Sequence, residues 1–479
     1  MINTKYFLLS CLIGSLLIPG YTRENNPKKS QNTEMKNESI KRNTGLLFIL
    51  EETLKNNKKI KAMQHELMQV HENSVQVSSS MRPQVKLGGG YDYGKRTSWG
   101  HDEYVDPQSS HNSTKNMNLT IQQNIFNGFA DIANMKEVDK SIRAKWAEYE
   151  FTKQKTLLEV SSLYFEIIAL QKELIHVEAL LKSRESSLNV ASAMEKTGAA
   201  KESDVSNAMA SFSETTGQLE KVRSEITSKK AQFFDMTGIE FPSNTVELIS
   251  NPKILDTNLT ESEVFNIAIK ENPQILMSIY KLDAAKESIK KPNPGFRPSV
   301  DLSYQWSQSL DSASKSGINK NYPNQSRDHT VGLRVSVPIY DGGVGRSQKR
   351  QAIDIATKSA IEKDDTINNV KTEITTVFAT IKYALASISS NKQAIEARTH
   401  ALHDTEEEYK AGIKIITDVL DAQQKLYEAQ SGLIQAEKYL TIAKCNMLAI
   451  LGRMNAKYLK LNYFDFDYVA DYNETKRKM

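Results

Sequence analysis

The sequence is written twice. Ile125-Phe126-Asn127-Gly128 returns 214 residues later as Ile339-Tyr340-Asp341-Gly342. Gly198 and Asp204-Val205 return at the same offset as Gly412 and Asp418-Val419, and Thr237-Gly238 falls on Leu451-Gly452. Arg82-Pro83 answers to Arg297-Pro298 with one residue of slip. Identity between the halves is sparse; the glycines, turn points and apolar rhythm are what repeat. A solenoid repeats every ~20–50 residues, so this long period marks two equivalent halves of one pseudo-symmetric object.

Each half carries the same order: helix, two strands, a very long helix, a glycine turn and a returning helix. In the first half a helical stretch from about Leu46 to Ser78 precedes Arg82-Pro83. Val85, Leu87, Gly89, Tyr91 and Tyr93 then alternate with polar or glycine positions, and after a polar loop (Lys95 to Lys115) Met117, Leu119 and Ile121 do the same. The second half alternates at Val300, Leu302, Tyr304 and Trp306, then, after a polar loop from Asp311 to Asp328, at Val331, Leu333, Val335 and Val337. Period two with one apolar face is a strand signal. Runs of about ten residues, with aromatics on the apolar side, suit tilted strands of an outer-membrane barrel. One such hairpin alone would read as an ordinary hairpin with one buried face; two matched ones in an exported chain point to a barrel. Four strands cannot close a membrane barrel, for which about eight is the minimum, and an open edge in lipid leaves backbone groups unpaired. The chain is therefore expected to share its barrel with other copies of itself.

The long helices carry a second signal. Ile367, Ile374, Ile381, Ile388 and Ile395 stand seven residues apart, continued by Leu402 and Tyr409, and the first half answers with Val160, Ile167, Leu174, Leu181 and Leu188. A sustained seven-residue repeat implies coiled-coil-like packing. The segment from Gly128 to Gly198 reaches roughly 105 Å as a helix. The returning helix (Ala199 to Met236) and the helix opening the second half (Thr260 to Lys291) are expected to stack end to end against it. Thr237 to Leu259, with Pro242 and Pro252, is expected to bulge outward as a belt.

Lys5, an apolar run from Tyr6 to Ile18 and Pro19-Gly20 read as an export signal, because ~13 apolar residues are too few to span a bilayer as a helix. Cys11 lies within that run; with the signal removed, Cys445 is the only thiol left, set in a helical apolar pattern that favours packing. The organisation is thus a signal peptide (1–20), a flexible leader (21–42), a first repeat (43–240), an equatorial linker (241–259), a second repeat (260–455) and a C-terminal tail (456–479). Hydrophobic residues make up 39% of the chain, mean hydropathy is −0.50, and 62 basic against 58 acidic residues leave a net charge of +4. That balance carries no nucleic-acid footprint and fits long helices with polar faces.

On these residues the chain resembles the TolC-like family of outer-membrane efflux proteins from about residue 45 to 455. The most specific stretch is Tyr409-Lys410-Ala411-Gly412-Ile413-Lys414-Ile415-Ile416-Thr417-Asp418-Val419-Leu420-Asp421-Ala422-Gln423, and Gly128-Phe129 and Gly342-Gly343 also fit, closing each barrel segment. The resemblance implies an α+β membrane protein. Three chains would supply twelve strands to one β-barrel, and long antiparallel coiled-coil helices would form a periplasmic α-barrel ending in a constricted tip. There a periplasmic adaptor protein and an inner-membrane pump or ABC transporter would meet it, for efflux or type I secretion. No cofactor and no bond-making step are implied.

The resemblance also assigns the tip. Asp418 and Asp421 share one helix face and would line the closed end as rings of carboxylates, which favour cations in a narrow pore. Without the resemblance they would read as solvated aspartates near a helix N-terminus. Asp204 with Tyr409, and Ser203 with Lys414, match the polar links that latch the tip. Lysine stands at 414 where an arginine is common, keeping the charge and losing the planar fork. Gly198 and Gly412 are expected at the hairpin tips, as turns and as adaptor contacts. His400 and His403 have helical spacing but no third ligand positioned by sequence, Glu406-Glu407-Glu408 reads as solvated surface, and Gly88-Gly89-Gly90 lies in a strand without a phosphate-loop lysine. The competing reading is an exported coiled-coil structural or adhesive protein. Envelope fractionation separates the two: a shared barrel requires detergent for extraction, and recovery in the aqueous fraction would exclude it.

Overall fold

A glycine-ended helix, a proline corner and a four-stranded ladder recur in the computed structural model, which describes residues 45–98, 108–242, 259–291, 297–315, 322–463 and 466–477. The expected export signal, the leader, Cys11 and most of the belt lie outside the described residues. The elements are α1 (Leu46–Asn56), α2 (Lys58–Ser79), β1 (Gln84–Ser98), β2 (Gln108–Asn127), α3 (Ala130–Lys196), α4 (Glu202–Thr237), α5 (Glu261–Glu271), α6 (Pro273–Ser288), β3 (Ser299–Lys315), β4 (Tyr322–Ser336), α7 (Val344–Lys410), α8 (Ile416–Ile450) and α9 (Tyr468–Arg477). Both long helices have 67 residues, or ~100 Å. Their ends, and those of the helix starts that follow, fall 214 residues apart.

The strands form one antiparallel sheet in the order β1-β2-β3-β4. Its register aligns the apolar positions into rows that cross all four strands: Val85–Ile121–Tyr304–Val331 and Leu87–Leu119–Trp306–His329. The alternate rows are polar: Lys86–Thr120–Gln305–Thr330 and Gly88–Asn118–Ser307–Asp328. Side chains one residue apart point to opposite faces, so the sheet has one apolar and one polar surface. The apolar surface is uncovered, with Val331 74% and Leu333 65% exposed. The strands run 15 to 20 residues, longer than the ten expected, and take in both ends of the supposed loops. Apolar alternation marks only the part of a strand that needs an apolar face, whereas ladder hydrogen bonds continue into polar sequence.

The heptads become packed seams. Val160 and Ile167 are buried in α3, and a second strip of Tyr149, Thr156, Leu163 and Val177 runs beside them at the same spacing. In α7 Ile374 and Tyr409 are buried, alongside Val370, Val377 and Ala384. Both α4 and α6 pack on α3, as the stacking expectation required. Cys445 is buried among Leu448 and Phe233, and burial pushes its thiol up to about 12.

Three elements depart from expectation. The helix opening each half is broken in two, at Asn57 and at Asn272-Pro273. Each asparagine leaves the helical region (ψ 123° and 119°) and caps the next helix, its Oδ1 accepting from backbone N–H groups two and three residues on. Its Nδ2 donates to the last turns of a returning helix, Asn57 to Met236 O at 2.8 Å and Asn272 to Ile450 O at 2.9 Å. The two acceptors are again 214 residues apart. Third, the supposed tail contains α9, which is fastened to α2: Asp471 Oδ2 lies 2.8 Å from the fully buried His71 Nδ1. Tyr472 packs on the His71 ring, and Tyr468 stacks on Trp146.

Replacing Asn272 by Ala removes a cap and leaves a buried carbonyl unpaired, so it should destabilise the fold by about 2 kcal/mol. Asn57→Ala should cost about as much, and the pair should add, because the sites are remote. Unfolding of the single and double variants in detergent checks this.

Candidate functional site at the hairpin tips

Both tips are built alike. Lys196 ends α3, Gly198 takes φ +78°, and Ala199 N donates back to Met194 O at 2.8 Å. Lys410 ends α7, Gly412 takes φ +76°, and Ile413 N donates to Glu408 O at 2.9 Å. A left-handed residue closing such a bond is the usual helix stop, and glycine adopts it without a Cβ penalty. An added Cβ would meet nothing within 4 Å at either glycine, so backbone conformation alone demands them.

The chain re-enters α4 and α8 through acidic caps. Asp204 Oδ2 accepts from Lys201 N at 3.1 Å, and Asp418 Oδ2 from Ile415 N at 3.3 Å. Both carboxylates sit in a first turn, where free N–H groups and the helix dipole favour negative charge. The tips are joined by an apolar cluster of Ala191, Ala208, Tyr409, Ile416, Val419 and Leu420.

Asp421 lies one turn beyond Asp418, exposed and paired with Lys425 Nζ at 2.5 Å. Asp418, Asp421, Lys414, Lys425, Thr405 and Arg398 line one cavity of about 240 Å³. Arg398 donates to the Lys425 carbonyl across the α7–α8 pair. Lys425 and Arg398 were missed in the sequence reading. The i, i+4 spacing of Asp421 and Lys425 is the signal that could have found the first; only tertiary packing brings in Arg398. Arg184, the 214-residue counterpart of Arg398, is buried in the α3 seam with Nε and Nη1 lacking hydrogen bonds. Burial pulls its guanidinium below the ordinary value, with Glu214 opposing.

The expected links are adjacent but unmade in this chain. The buried Tyr409 Oη has no hydrogen-bond partner among the described residues. Burial first, and the nearby Asp204 charge second, hold its phenol above the ordinary value. Ser203 and Lys414 are both exposed, and no hydrogen bond joins them. His400 and His403 belong to no group of three metal-binding side chains among the described residues.

A sheet with a bare apolar face, edge strands open at both sides and helical hairpins ~100 Å long define the class of outer-membrane channel proteins. The chain belongs to the outer membrane efflux protein family, whose profile matches it twice, at residues 49–238 and 264–453. It is 25% identical over 407 residues to the outer membrane efflux protein BepC of Brucella suis, covering 85% of each chain. To the outer membrane protein TolC of Escherichia coli it is 25% identical over 394 residues, 80% of this chain and 76% of that one. The crystal structure of the outer membrane protein VceC from Vibrio cholerae shares the fold, with a TM-score of 0.68 at 18% identity over 85% of this chain and 96% of that one. The strands accordingly sit in the outer membrane and the helices extend from it into the periplasm.

Because the Tyr409 hydroxyl is buried and unpaired, Tyr409→Phe should leave stability unchanged or raise it by up to about 1 kcal/mol. A lowered unfolding temperature would mean that the hydroxyl has a partner in the assembled protein.

Proposed function

We propose that three copies of this chain form one channel, a passive conduit through which cargo crosses the periplasm and outer membrane in a single passage. The observation that carries the reading is an imbalance between twin helices. Among the described residues α3 buries 23 side chains and α7, of equal length, only eight. Ile353, Ile355, Ile361, Tyr383 and Leu385 of α7 are exposed, and α7 descends from the open edge strand β4. A neighbouring chain whose β1 pairs with β4 and whose helices cover α7 satisfies both needs at once. Three chains give twelve strands, an even number within the range of closed membrane barrels.

In this reading the hairpin tips form the periplasmic gate. Three copies of Asp418 and Asp421 surround the axis. Like charges ~6 Å apart repel by only ~0.7 kcal/mol in water and several-fold more where the effective dielectric is lower. Lys425 and Lys414 beside them moderate that repulsion, so the rings tolerate closure and still draw cations. Ser203, Asp204, Tyr409 and Lys414 form the latch between the inner and outer hairpins, and the turns at Gly198 and Gly412 receive a periplasmic adaptor protein. Energy comes from an inner-membrane pump or ABC transporter, since the channel makes and breaks no bond.

Light scattering of the detergent-extracted protein should give the mass of three chains; two or one would refute the shared twelve-stranded barrel. In planar bilayers Tyr409→Phe with Lys414→Ala should raise the open fraction, about tenfold for a link worth ~1.4 kcal/mol. Unchanged conductance would sink the latch. Asp418→Asn with Asp421→Asn should lower cation selectivity.

A further inference from the structure

The twin arginines of the Arg-Pro corners do different work. Arg297 Nη1 donates to Gly128 O at 3.1 Å and Lys290 O at 3.4 Å, tying the corner where strand meets helix. Arg82 makes no side-chain hydrogen bond or ion pair among the described residues and lines a cavity of about 730 Å³. The cavity lies between the end of α2, the first turns of α3, the end of α6 and α9, with Ser78, Met135, Lys136, Glu287 and Tyr472 in its walls.

Most charges in those walls are already matched. Asp139 pairs with Arg143 at 3.3 Å and accepts from Tyr472 Oη at 3.4 Å, while Lys140 faces Asp283 at 3.8 Å. Arg82 and Lys136 remain as cations without a partner among the described residues. Glu287 accepts from Lys290 at 2.7 Å through Oε1, but its Oε2 is buried without a hydrogen bond. The cavity thus offers two free cations and one buried free carboxylate oxygen.

An apolar path joins it to the membrane. Phe126 shares the apolar face of the sheet with Val300 and Val335, and Phe129 meets it edge-on at 5.0 Å. Phe129 (62% exposed), Ile132 and Met135 then descend α3 in three-residue steps to the cavity wall. Lys136 lies about 9 Å below the start of α3, close to the ~5–7 Å headgroup layer that borders the hydrocarbon core.

We propose that this cavity seats a phospholipid of the periplasm-facing leaflet that carries a primary ammonium beside its phosphate. Arg82 and Lys136 hold the phosphate, Glu287 Oε2 accepts from the ammonium, and an acyl chain follows Met135, Ile132 and Phe129 into the bilayer. Charge-assisted bonds to phosphate suit an arginine and a lysine with no other partner. A lipid without the ammonium would leave the Glu287 oxygen unpaired. The seat rests on the outer-membrane placement of the strands and is independent of the gate.

The full-length protein in mild detergent is offered phosphatidylethanolamine and phosphatidylcholine with identical acyl chains, and retained lipid is counted by native mass spectrometry. Phosphatidylethanolamine should be retained about five-fold over phosphatidylcholine, whose methylated ammonium cannot donate. Arg82→Gln with Lys136→Gln should lower total retention about five-fold, and so, to a lesser degree, should the exposed single variant Lys136→Gln. Lys349→Gln with Arg350→Gln, in the second turn of α7, should change nothing. Glu287→Gln should erase the preference between the two lipids and keep the binding. Undiminished retention in the Arg82 and Lys136 variants, no headgroup preference in the wild type, or displacement of the lipid by inorganic phosphate alone would each overturn the seat. Weak retention by a preparation of three-chain mass rejects the lipid seat and leaves the channel intact; a one-chain mass rejects the shared barrel.

Discussion

The backbone hydrogen bonds along the outer sides of β1 and β4 are the constraint from which the rest of the architecture follows. Within the chain the sheet stops at four strands, and both outer edges carry apolar side chains on the bare face. Water could satisfy those edges; hydrocarbon cannot, at several kcal/mol for each unpaired group. Closure against further copies removes the edges altogether, and it fixes what lies beneath. The same neighbour that completes the ladder beside β4 lies alongside α7, the helix with the least buried surface for its length.

The doubled sequence yields two halves that are alike where backbone geometry rules and unlike where a surface must be shared. Gly198 and Gly412, Asp204 and Asp418, and Asn57 and Asn272 play the same parts in both halves, because helix stops and caps have few solutions. The side chains around them diverge. Arg297 ties a corner while Arg82 opens on a cavity, and Arg184 is buried in its seam while Arg398 reaches the cavity beside Asp418. Pseudo-symmetry in the chain lets one copy of a feature remain structural while the other is released for binding.

Much of this was legible in advance because the signals were periodic. Alternation at Val85 to Tyr93 and Val331 to Val337, and heptads at Val160 to Leu188 and Ile367 to Tyr409, state which face of each element is apolar. Where periodicity was silent, the reading failed in understandable ways. Strand ends were placed too early, because polar ladders carry no apolar mark. The breaks at Asn57 and Asn272 were passed over, although Asn272-Pro273 is a recognised turn dipeptide. The α9 helix was read as a tail, since its anchor, Asp471 to His71, joins residues 400 positions apart.

The candidate site divides in the same way. Spacing alone put Asp418 and Asp421 on one helix face, because an α-helix returns to the same side after three or four residues. That Asp418 caps its own helix, that Asp421 is held by Lys425, and that Tyr409 lies buried beside Asp204 without a bond to it were decided by tertiary packing. The sequence by itself determined the repeat, the two periodicities and the glycine turns, since these are local consequences of backbone sterics and of apolar side chains seeking one face. Which charges stay free and which are neutralised depends on the approach of helices far apart in the chain. Only the folded structure could therefore separate Arg82 from Arg297 and leave Glu287 with an unpaired oxygen beside it.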